Sequence, residues 1–355
     1  MKITVYVPCH NNQSTVGQTL ASLRRQIRPA DQFLFINDRC TDSSAQIAQE
    51  HNFQILQMPA KVGLAAGRNC ALANAQGDLI LGVDADVVVA ENYLQELEKR
   101  FAAMPEIAAI GGRLDERFTD TRADLWRAIH MPQHFGPDEL RDPRILFGAT
   151  MACRVSVARE LGGWNERFVA SFEDVDISNR LKGAGHHLLY APACQAWHLR
   201  RDTDDSVLQN DWNWNTVGYE HSVSAIKFWL ENRLPFIWSR YRKFRVEDLP
   251  YPSLGWLTLR AAWGWIIRDL YVMRKSAPQV GHVPDVIKIA RSVVMQYGMT
   301  APASESFLRW LKQLAASLDD PVRQTRPLLQ EIANCVYTGA SESIPDGNYW
   351  QNQKP

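Results

Sequence analysis

Four short apolar runs, ITVYV, QFLFIN, FQILQ and LILGV, punctuate the chain before Asp84. Continuous runs of this kind suit strands buried on both faces. Between the first two, Val16, Leu20, Leu23 and Ile27 recur at helical spacing, and after the fourth so do Leu94, Leu97 and Phe101. Strand alternating with helix predicts an α/β fold: a mostly parallel, Rossmann-like sheet with helices on its faces. In open sheets of this type ligands bind beyond the carboxyl ends of the strands. Here those ends are polar: His10 and Asn11 after the first run, Asn37 and Asp38 after the second, Asp84 and Asp86 after the fourth. They are expected to converge on one rim.

The last pair brackets Ala85 in the stretch GVDADV. In extended backbone Asp84 and Asp86 point the same way and Ala85 is opposed. Two close carboxylates repel unless a positive charge lies between them. A hard divalent cation, held by one or two carboxylates and by ligand phosphates, is the natural partner. A solvated strand end or a helix cap is the plainer alternative.

A second block, from about Ile107 to His198, mixes strand signals (IAAIGG, LLYAP) with loops and helices. Within it GGWNERF reads as a turn, and SFEDVDISNRLKGAG as a loop entering a helix that ends at glycine. Beyond Ser222 strand signals fade and Trp, Leu, Ile and Arg dominate. The expected organisation is a catalytic domain over 1–220, a helical appendage over 221–345 and a frayed tail over 346–355. Formal net charge is zero, so no global field draws the chain to nucleic acid. The six cysteines form no C-x-x-C pair and read as reduced thiols of a cytoplasmic protein. MKITVYVPCHNN has no signal-peptide architecture, and no apolar stretch approaches the roughly 18–20 residues of a spanning helix.

Five motifs in order give the chain a family likeness. VPCHNN, INDRCTDSS, KVGLAAGRNCAL, GVDADV, and GATMACRVSVARELGGWNERF followed by FEDVDISNRL together resemble an inverting glycosyltransferase of family 2 with the GT-A fold. This is the nucleotide-diphospho-sugar transferase architecture. Asn37, Lys61 and Gly67 depart from the family pattern. The likeness covers about Lys2 to Leu199 and leaves the appendage outside.

The resemblance implies roles. Pro8 and Asp38 would hold the nucleobase, with a bias to uracil. His10, Asn11, Ala85 and Arg68 would lie along the donor. Asp84 would contact ribose and stand beside the metal, and Asp86 would bind Mn²⁺ or Mg²⁺ bridging the diphosphate. Asp174 would be the general base, with Glu173 beside it. Gly148 and Trp164 would fall on the acceptor side or in a lid, and beyond the likeness Trp212 and Trp214 would join them if the stretch after Arg201 is a lid. The chemistry asks for such a set: a metal and an arginine for the anionic leaving group, and a carboxylate for the acceptor's proton. The three acids of SFEDVD should raise the pKa of Asp174 through their mutual repulsion.

Several residues stay open. Arg68 serves either the nucleotide or a surface acid. His198 is either a core histidine or a metal ligand, imidazole suiting Mn²⁺ better than Mg²⁺. Arg200 and Arg201 stand where phosphate oxygens would be met. DTDDSVLQNDWNWNTVGY is either a lid or a plain loop. The Trp- and Arg-rich stretch 222–275 suits an anionic bilayer surface, or a helical bundle packed on the rest. The Q-x-x-R-W of processive synthases is absent, which favours one sugar per encounter, passed from a nucleotide-sugar donor to the hydroxyl of a glycan or lipid-linked acceptor. That would place the protein in the cytoplasm, or peripherally on the cytoplasmic face of a membrane. A nucleotidyltransferase would want a Gly-rich N-terminal loop that VPCHNNQSTVG lacks. A non-catalytic sugar-nucleotide-binding protein would have little use for Asp38, Asp86 and Asp174 together.

Overall fold

The computed structural model of the chain describes residues 1–169, 171–215 and 233–276. It divides into two compact units at Val217/Gly218.

The first unit is built on a nine-stranded sheet. Strands β1 (Ile3–Cys9), β2 (Gln32–Asn37), β3 (Gln54–Gln57) and β4 (Leu79–Gly82) are the four apolar runs. They lie in the order β3-β2-β1-β4, all parallel. Helices α1 (Val16–Arg24), α2 (Ser44–Glu50) and α3 (Leu64–Asn74) make the crossovers. β1 and β4 are buried along nearly their whole length, as uninterrupted apolar runs require. Leu20, Leu23, Leu94, Leu97 and Phe101 close one face as a single cluster with Val5, Val7 and Leu81. Ile27 departs from the helical reading: α1 stops at Arg24, and Ile27 is 63% exposed.

The second block adds β5 (Val87–Val89), α4 (Tyr93–Ala103), β6 (Ile107–Glu116), α5 (Arg122–His130) and the short β7 (Leu140–Arg141). After them come β8 (Met151–Arg154), α6 (Val155–Glu160), α7 (Glu173–Gly183), β9 (His187–His198) and α8 (Asp204–Trp214). β8 runs antiparallel between β4 and β6, and β9 runs parallel to β6. Two reversals restore direction, so β6 and β9 end on the same edge as β1, β2 and β4. β5 is antiparallel to β9, which places its start, just after Asp86, on that edge too. The segment before β8, the 3₁₀ turn Gly148–Thr150, arrives there as well.

Asp84, Ala85 and Asp86 are not extended. The Val87 N–H donates to the Asp84 carbonyl at 3.0 Å, closing a turn between β4 and β5. Ala85 still opposes the two acids: it is buried, and its carbonyl accepts from Oγ1 of Thr15, just before α1, and Oγ1 of Thr19 in α1, both at 3.1 Å. The DTDDSVLQNDWNW stretch is a helix, not a loop. Thr203 and Ser206 cap the start of α8 reciprocally.

In the second unit α9 (Leu234–Glu247) and α10 (Gly255–Ser276) pack on each other across the turn Pro252–Leu254. Arg233 and Asp269 form a buried ion pair at 2.7 Å. Arg240 lies 4.4 Å over the ring of Trp265. No described helix is long and apolar enough to cross a membrane. The five described cysteines are free thiols. Cys335, the tail 346–355 and the appendage outside 233–276 lie beyond the described residues.

Candidate active site

Arg68 is the centre of the rim. It leaves α3 toward the sheet and is almost fully buried. Its Nη1 donates to Tyr6 Oη at 3.2 Å, its Nε to Glu173 Oε1 at 3.3 Å, and its Nη2 to Asp84 Oδ1 at 3.4 Å. Tyr6 comes from β1, Asp84 from the end of β4 and Glu173 from the first turn of α7, so one guanidinium ties three elements. Breaking a buried pair by removing one partner costs about 3–5 kcal/mol, so Arg68 is part of the fold as well as of the site. Arg68 does pair with acids, but with the buried Glu173 and the part-exposed Asp84 at the rim.

Gly148 lets this cluster close. A Cβ there would stand 2.9 Å from Arg68 Nη2, 3.1 Å from Glu173 Oε1 and 3.2 Å from the Asp174 Cβ. Its N–H donates to Asp174 Oδ2 at 2.9 Å, and the Val175 N–H donates to Oδ1 at 2.8 Å. Burial raises the Asp174 pKa, against these N–H groups and Arg68, which lower it. The direction agrees with the sequence; the dominant cause is burial, not neighbouring acids. Glu173 is raised for the same reason, opposed by Arg68 and reinforced by Asp174. Its Oε2 is buried with no hydrogen-bond partner among the described residues, which further disfavours its ionised form. Asp84 is raised by burial and by Asp86, against Arg68.

A second cluster adjoins the first. His198 ends β9, in register with Glu116 at the end of β6 and with Val87 at the start of β5. Its Nε2 stands 3.2 Å from Asp86 Oδ2 and its Nδ1 3.3 Å from Glu116 Oε1. Burial alone would lower the imidazole's pKa; Asp86 and Glu116 reverse this and raise it to about 9. Burial would raise Asp86, but His198 draws it down to about 2. Behind them Arg127 of α5, 1% exposed, donates to Glu116 Oε1 at 2.9 Å and Asp202 Oδ2 at 3.1 Å, and lies 4.8 Å from the Trp214 ring. Tyr6, Glu116, Arg127 and Asp202 are absent from the residues singled out by sequence. The signal for Glu116 was available: like the others, it closes a strand at the rim.

Asp86 and His198 offer one carboxylate and one imidazole across a 3.2 Å gap. Among the described residues no group of three or more His, Cys, Asp or Glu side chains is placed to hold an ion by itself. Mg²⁺ and similar ions commonly take one or two protein groups and complete their shell with water and substrate phosphates. The pair fits a cation that arrives with a diphosphate.

The side of the rim around Asp38 is built by loops. Asp38 accepts from the N–H groups of Val62 at 3.0 Å and Gly63 at 3.2 Å. His10 Nδ1 pairs with the Asp38 carbonyl at 2.7 Å, and Asn11 Oδ1 accepts from the Thr41 N–H at 2.7 Å. Pro8, half-buried in β1, lies opposite Ile36. Asn37, which replaces the family's acid, accepts from the Cys40 N–H and donates to Gln57.

Other expected residues fall elsewhere. Trp164 is 4% exposed and packs in the core cluster with Leu72 and Ile177, so it is no lid. Trp212 and Trp214 belong to α8, and the ring of Trp214 lies 4.8 Å from the Arg127 guanidinium. Arg201 pairs with Asp120 and Asp124 and stacks on Phe118, whereas Arg200 pairs with Asp202 and remains close enough to Asp86 to help lower its pKa.

Residues 4–162 match the sequence model described as Glycosyl transferase family 2. The chain is 28% identical over 208 residues to the pre-mycofactocin glycosyltransferase of Mycobacterium tuberculosis, a match covering 56% of this chain and 43% of the relative. It is 23% identical over 238 residues to the poly-beta-1,6-N-acetyl-D-glucosamine synthase of Staphylococcus epidermidis, covering 64% and 56%. The chain thus spans about half the length of the curated relatives it matches. Among solved structures, GalNAc-T7 with UDP, GalNAc and Mn²⁺ aligns with a TM-score of 0.48 at 16% identity, over 63% of this chain and 50% of that one. Residues 4–162, the segment that carries Asp38, Arg68, Asp84 and Asp86, are thus similar to glycosyl transferase family 2.

Proposed function

We propose that the protein transfers one sugar from a nucleotide-diphosphate donor, a UDP-sugar, to a hydroxyl acceptor with inversion at the anomeric carbon. The observation that carries this reading is the joining of Asp86–His198 to Arg68–Glu173–Asp174 through Asp84 on one sheet rim. The donor would lie along that rim, its base beside Pro8, His10, Asn11 and Asp38. Asp86 and His198 would hold Mn²⁺ or Mg²⁺, with Asp84 beside them. The ion would supply positive charge to the departing diphosphate.

Single displacement asks for one bond made and one broken. The acceptor oxygen bonds to the anomeric carbon from one face as the bond to the diphosphate oxygen breaks on the other. The acceptor's proton passes to Asp174. The raised pKa of that carboxylate makes it a stronger base than a solvated aspartate, as general-base catalysis near neutral pH favours. Glu173 is too enclosed to reach an acceptor, and anchors Arg68 beside the leaving group.

The names of the relatives, one a polysaccharide synthase, support a role in polysaccharide, glycolipid or other cell-surface glycan synthesis. A glycan or lipid-linked acceptor would be met at a membrane surface, for which the stretch 222–275 is suited.

UDP binding and turnover of UDP-sugars with Mn²⁺ test the reading. Asp86→Ala should abolish the metal dependence of UDP binding while leaving the fold. Asp174→Asn should bind UDP as wild type does and lose about 10²-fold or more in transfer. A wild-type protein whose affinity for UDP is the same with and without Mn²⁺ or Mg²⁺ contradicts the assignment.

A further inference from the structure

Cys9 closes β1, Cys40 sits just beyond the end of β2, and their sulfurs meet at 3.8 Å. The proposed transfer uses neither thiol. The backbone fixes both partners. The Asp38 N–H donates to the Cys9 carbonyl at 2.9 Å and holds the strand ends together. Arg39 then takes a φ of 62°, in the left-handed region, and the chain turns. The Cys40 N–H donates to Asn37 Oδ1 at 2.8 Å. Its thiol donates to the Cys9 carbonyl at 3.3 Å, and the Asn11 N–H donates to its sulfur at 3.4 Å. Among the five described cysteines this is the pair whose sulfurs are in contact.

A disulfide holds its sulfurs at about 2.0 Å, so closure asks for an approach of about 1.8 Å. Access to the two thiols is unequal. Cys40 is half-buried at the rim, whereas Cys9 is 2% exposed and packs in the core cluster with Val16 and Leu20. A small disulfide such as oxidised glutathione therefore reaches Cys40 first. The Cys40 thiolate attacks one glutathione sulfur, the glutathione S–S bond breaks, and one glutathione leaves with the proton that Cys40 gave up. The Cys9 thiolate then attacks the Cys40 sulfur, the mixed bond breaks, and the second glutathione leaves with the proton of Cys9. The protein pair is oxidised by two electrons, and the glutathione disulfide is reduced by two. Burial, and then the neighbouring Cys40 sulfur, push the Cys9 thiol up to about 12. Capping Cys40 removes the second of these causes, so the first exchange eases the next.

We propose that Cys9 and Cys40 are a reversible disulfide pair of the folded protein, whose closure draws together the two rim loops that flank Asp38. Cys9 precedes His10 and Asn11, and Cys40 follows Asp38 and Arg39. His10 Nδ1 pairs with the Asp38 carbonyl and Asn11 Oδ1 accepts from the Thr41 N–H, both at 2.7 Å, so the loops already touch on either side of the sulfurs. The Asp38 carboxylate is held from the other direction by the N–H groups of Val62 and Gly63. A shift of Cys40 toward Cys9 is therefore opposed at Asp38 and alters the rim there. Disulfides that form in reducing compartments are mostly transient or redox-sensing, and a pair that closes by exchange at a binding rim is of that kind.

The effect on a nucleotide rests on the donor reading of Asp38; the bond itself does not. Incubation of the folded protein with oxidised glutathione, followed by non-reducing peptide mapping, tests the bond. Wild type should give a linked Cys9–Cys40 peptide that dithiothreitol releases. Cys9→Ser should stop at glutathione on Cys40, and Cys40→Ser should leave Cys9 unmodified. Cys40 is half-buried, so its variant decides the matter even where Cys9→Ser fails to fold. Hydrogen exchange at Asn11, Asn12 and Thr41 should slow in the oxidised protein. UDP affinity should fall roughly tenfold, the worth of one hydrogen bond to a charged group, and recover with dithiothreitol. The bond and slowed exchange with UDP affinity unchanged support the pair and take the nucleobase away from Asp38. The same two results in a protein that ignores UDP in both states support the pair and remove the UDP-sugar reading. Glutathione on Cys70 with no Cys9–Cys40 bond, a bond that forms only in denaturant, or a bond that leaves exchange in both loops unchanged overturns the pair.

Discussion

His198 shows how one residue's surroundings set its chemistry. Asp86 and Glu116 flank it and raise its pKa to about 9, so the metal-free protein at neutral pH holds an imidazolium where a cation would sit. A metal must displace that proton. Apparent Mn²⁺ affinity in the presence of UDP should therefore climb by up to about tenfold per pH unit between pH 7 and 9. In His198→Gln the slope should vanish; equal slopes in both proteins would remove His198 from the ligand set. The sign for stability is the reverse. A raised folded-state pKa stabilises the metal-free protein fully below about pH 6.5, and this contribution is lost as pH rises through about 9. Glu116 also faces Nδ1 at 3.3 Å and so directs the Nε2 lone pair of a neutral ring toward Asp86. Outer carboxylates of this kind are worth about 10–100-fold in metal affinity. Glu116→Gln should lose Mn²⁺ affinity by that order, read by electron paramagnetic resonance with UDP present and no acceptor.

At the scale of elements, what was legible depended on how local its cause is. β1 to β4 were readable because a strand buried on both faces must be apolar throughout. The rim followed, since parallel strands put their ends together. The turn at Asp84–Asp86 was read as extended backbone because its closing hydrogen bond, from Val87 to Asp84, leaves no trace in residue type. Arg127 was missed for a different reason: its partners Glu116, His198 and Asp202 come from separate elements and meet only after β6 and β9 pair. Gly148 was noticed, but for the acceptor; in the structure its lack of a side chain is what admits Arg68, Glu173 and Asp174 together. Gly148→Ala should displace one of these three by some tenths of an ångström. Overpacking of this kind costs about 1–3 kcal/mol, which thermal melting would register. Transfer should fall more steeply than stability accounts for, because the displaced groups would be the proposed base and its neighbours. A variant that melts as wild type and transfers at the wild-type rate would show that the tight closure around Gly148 is not needed.

The whole molecule joins a unit whose sequence announces its fold to one whose sequence announces mainly its surface. The family match stops at residue 162, and nothing in it reaches α9 or α10. That the second unit is helical was legible from its loss of strand signals and its Trp-, Leu-, Ile- and Arg-rich composition. Its inner fixings, Arg233 with Asp269 and Arg240 over Trp265, were not, because they join residues on different helices. What α9 leaves outside bears on where an acceptor would be met. Arg242, Lys243 and Arg245 are exposed near its end, and Val246, Leu249 and Tyr251 are exposed beside them, Leu249 by 75%. Basic groups around protruding apolar side chains suit the interface of an anionic bilayer. Each Lys or Arg near such a surface contributes about 1 kcal/mol, screened over about 10 Å at 0.1 M salt. The protein should co-float with phosphatidylserine vesicles at low salt and detach as salt is raised. The triple change Arg242→Glu, Lys243→Glu, Arg245→Glu should abolish flotation and leave UDP binding intact, since the donor residues all lie in the first unit. Leu249→Ser should weaken flotation at every salt concentration, because it removes apolar contact rather than charge. Wild-type protein that stays with the soluble fraction at low salt would leave this surface for solvent or a protein partner.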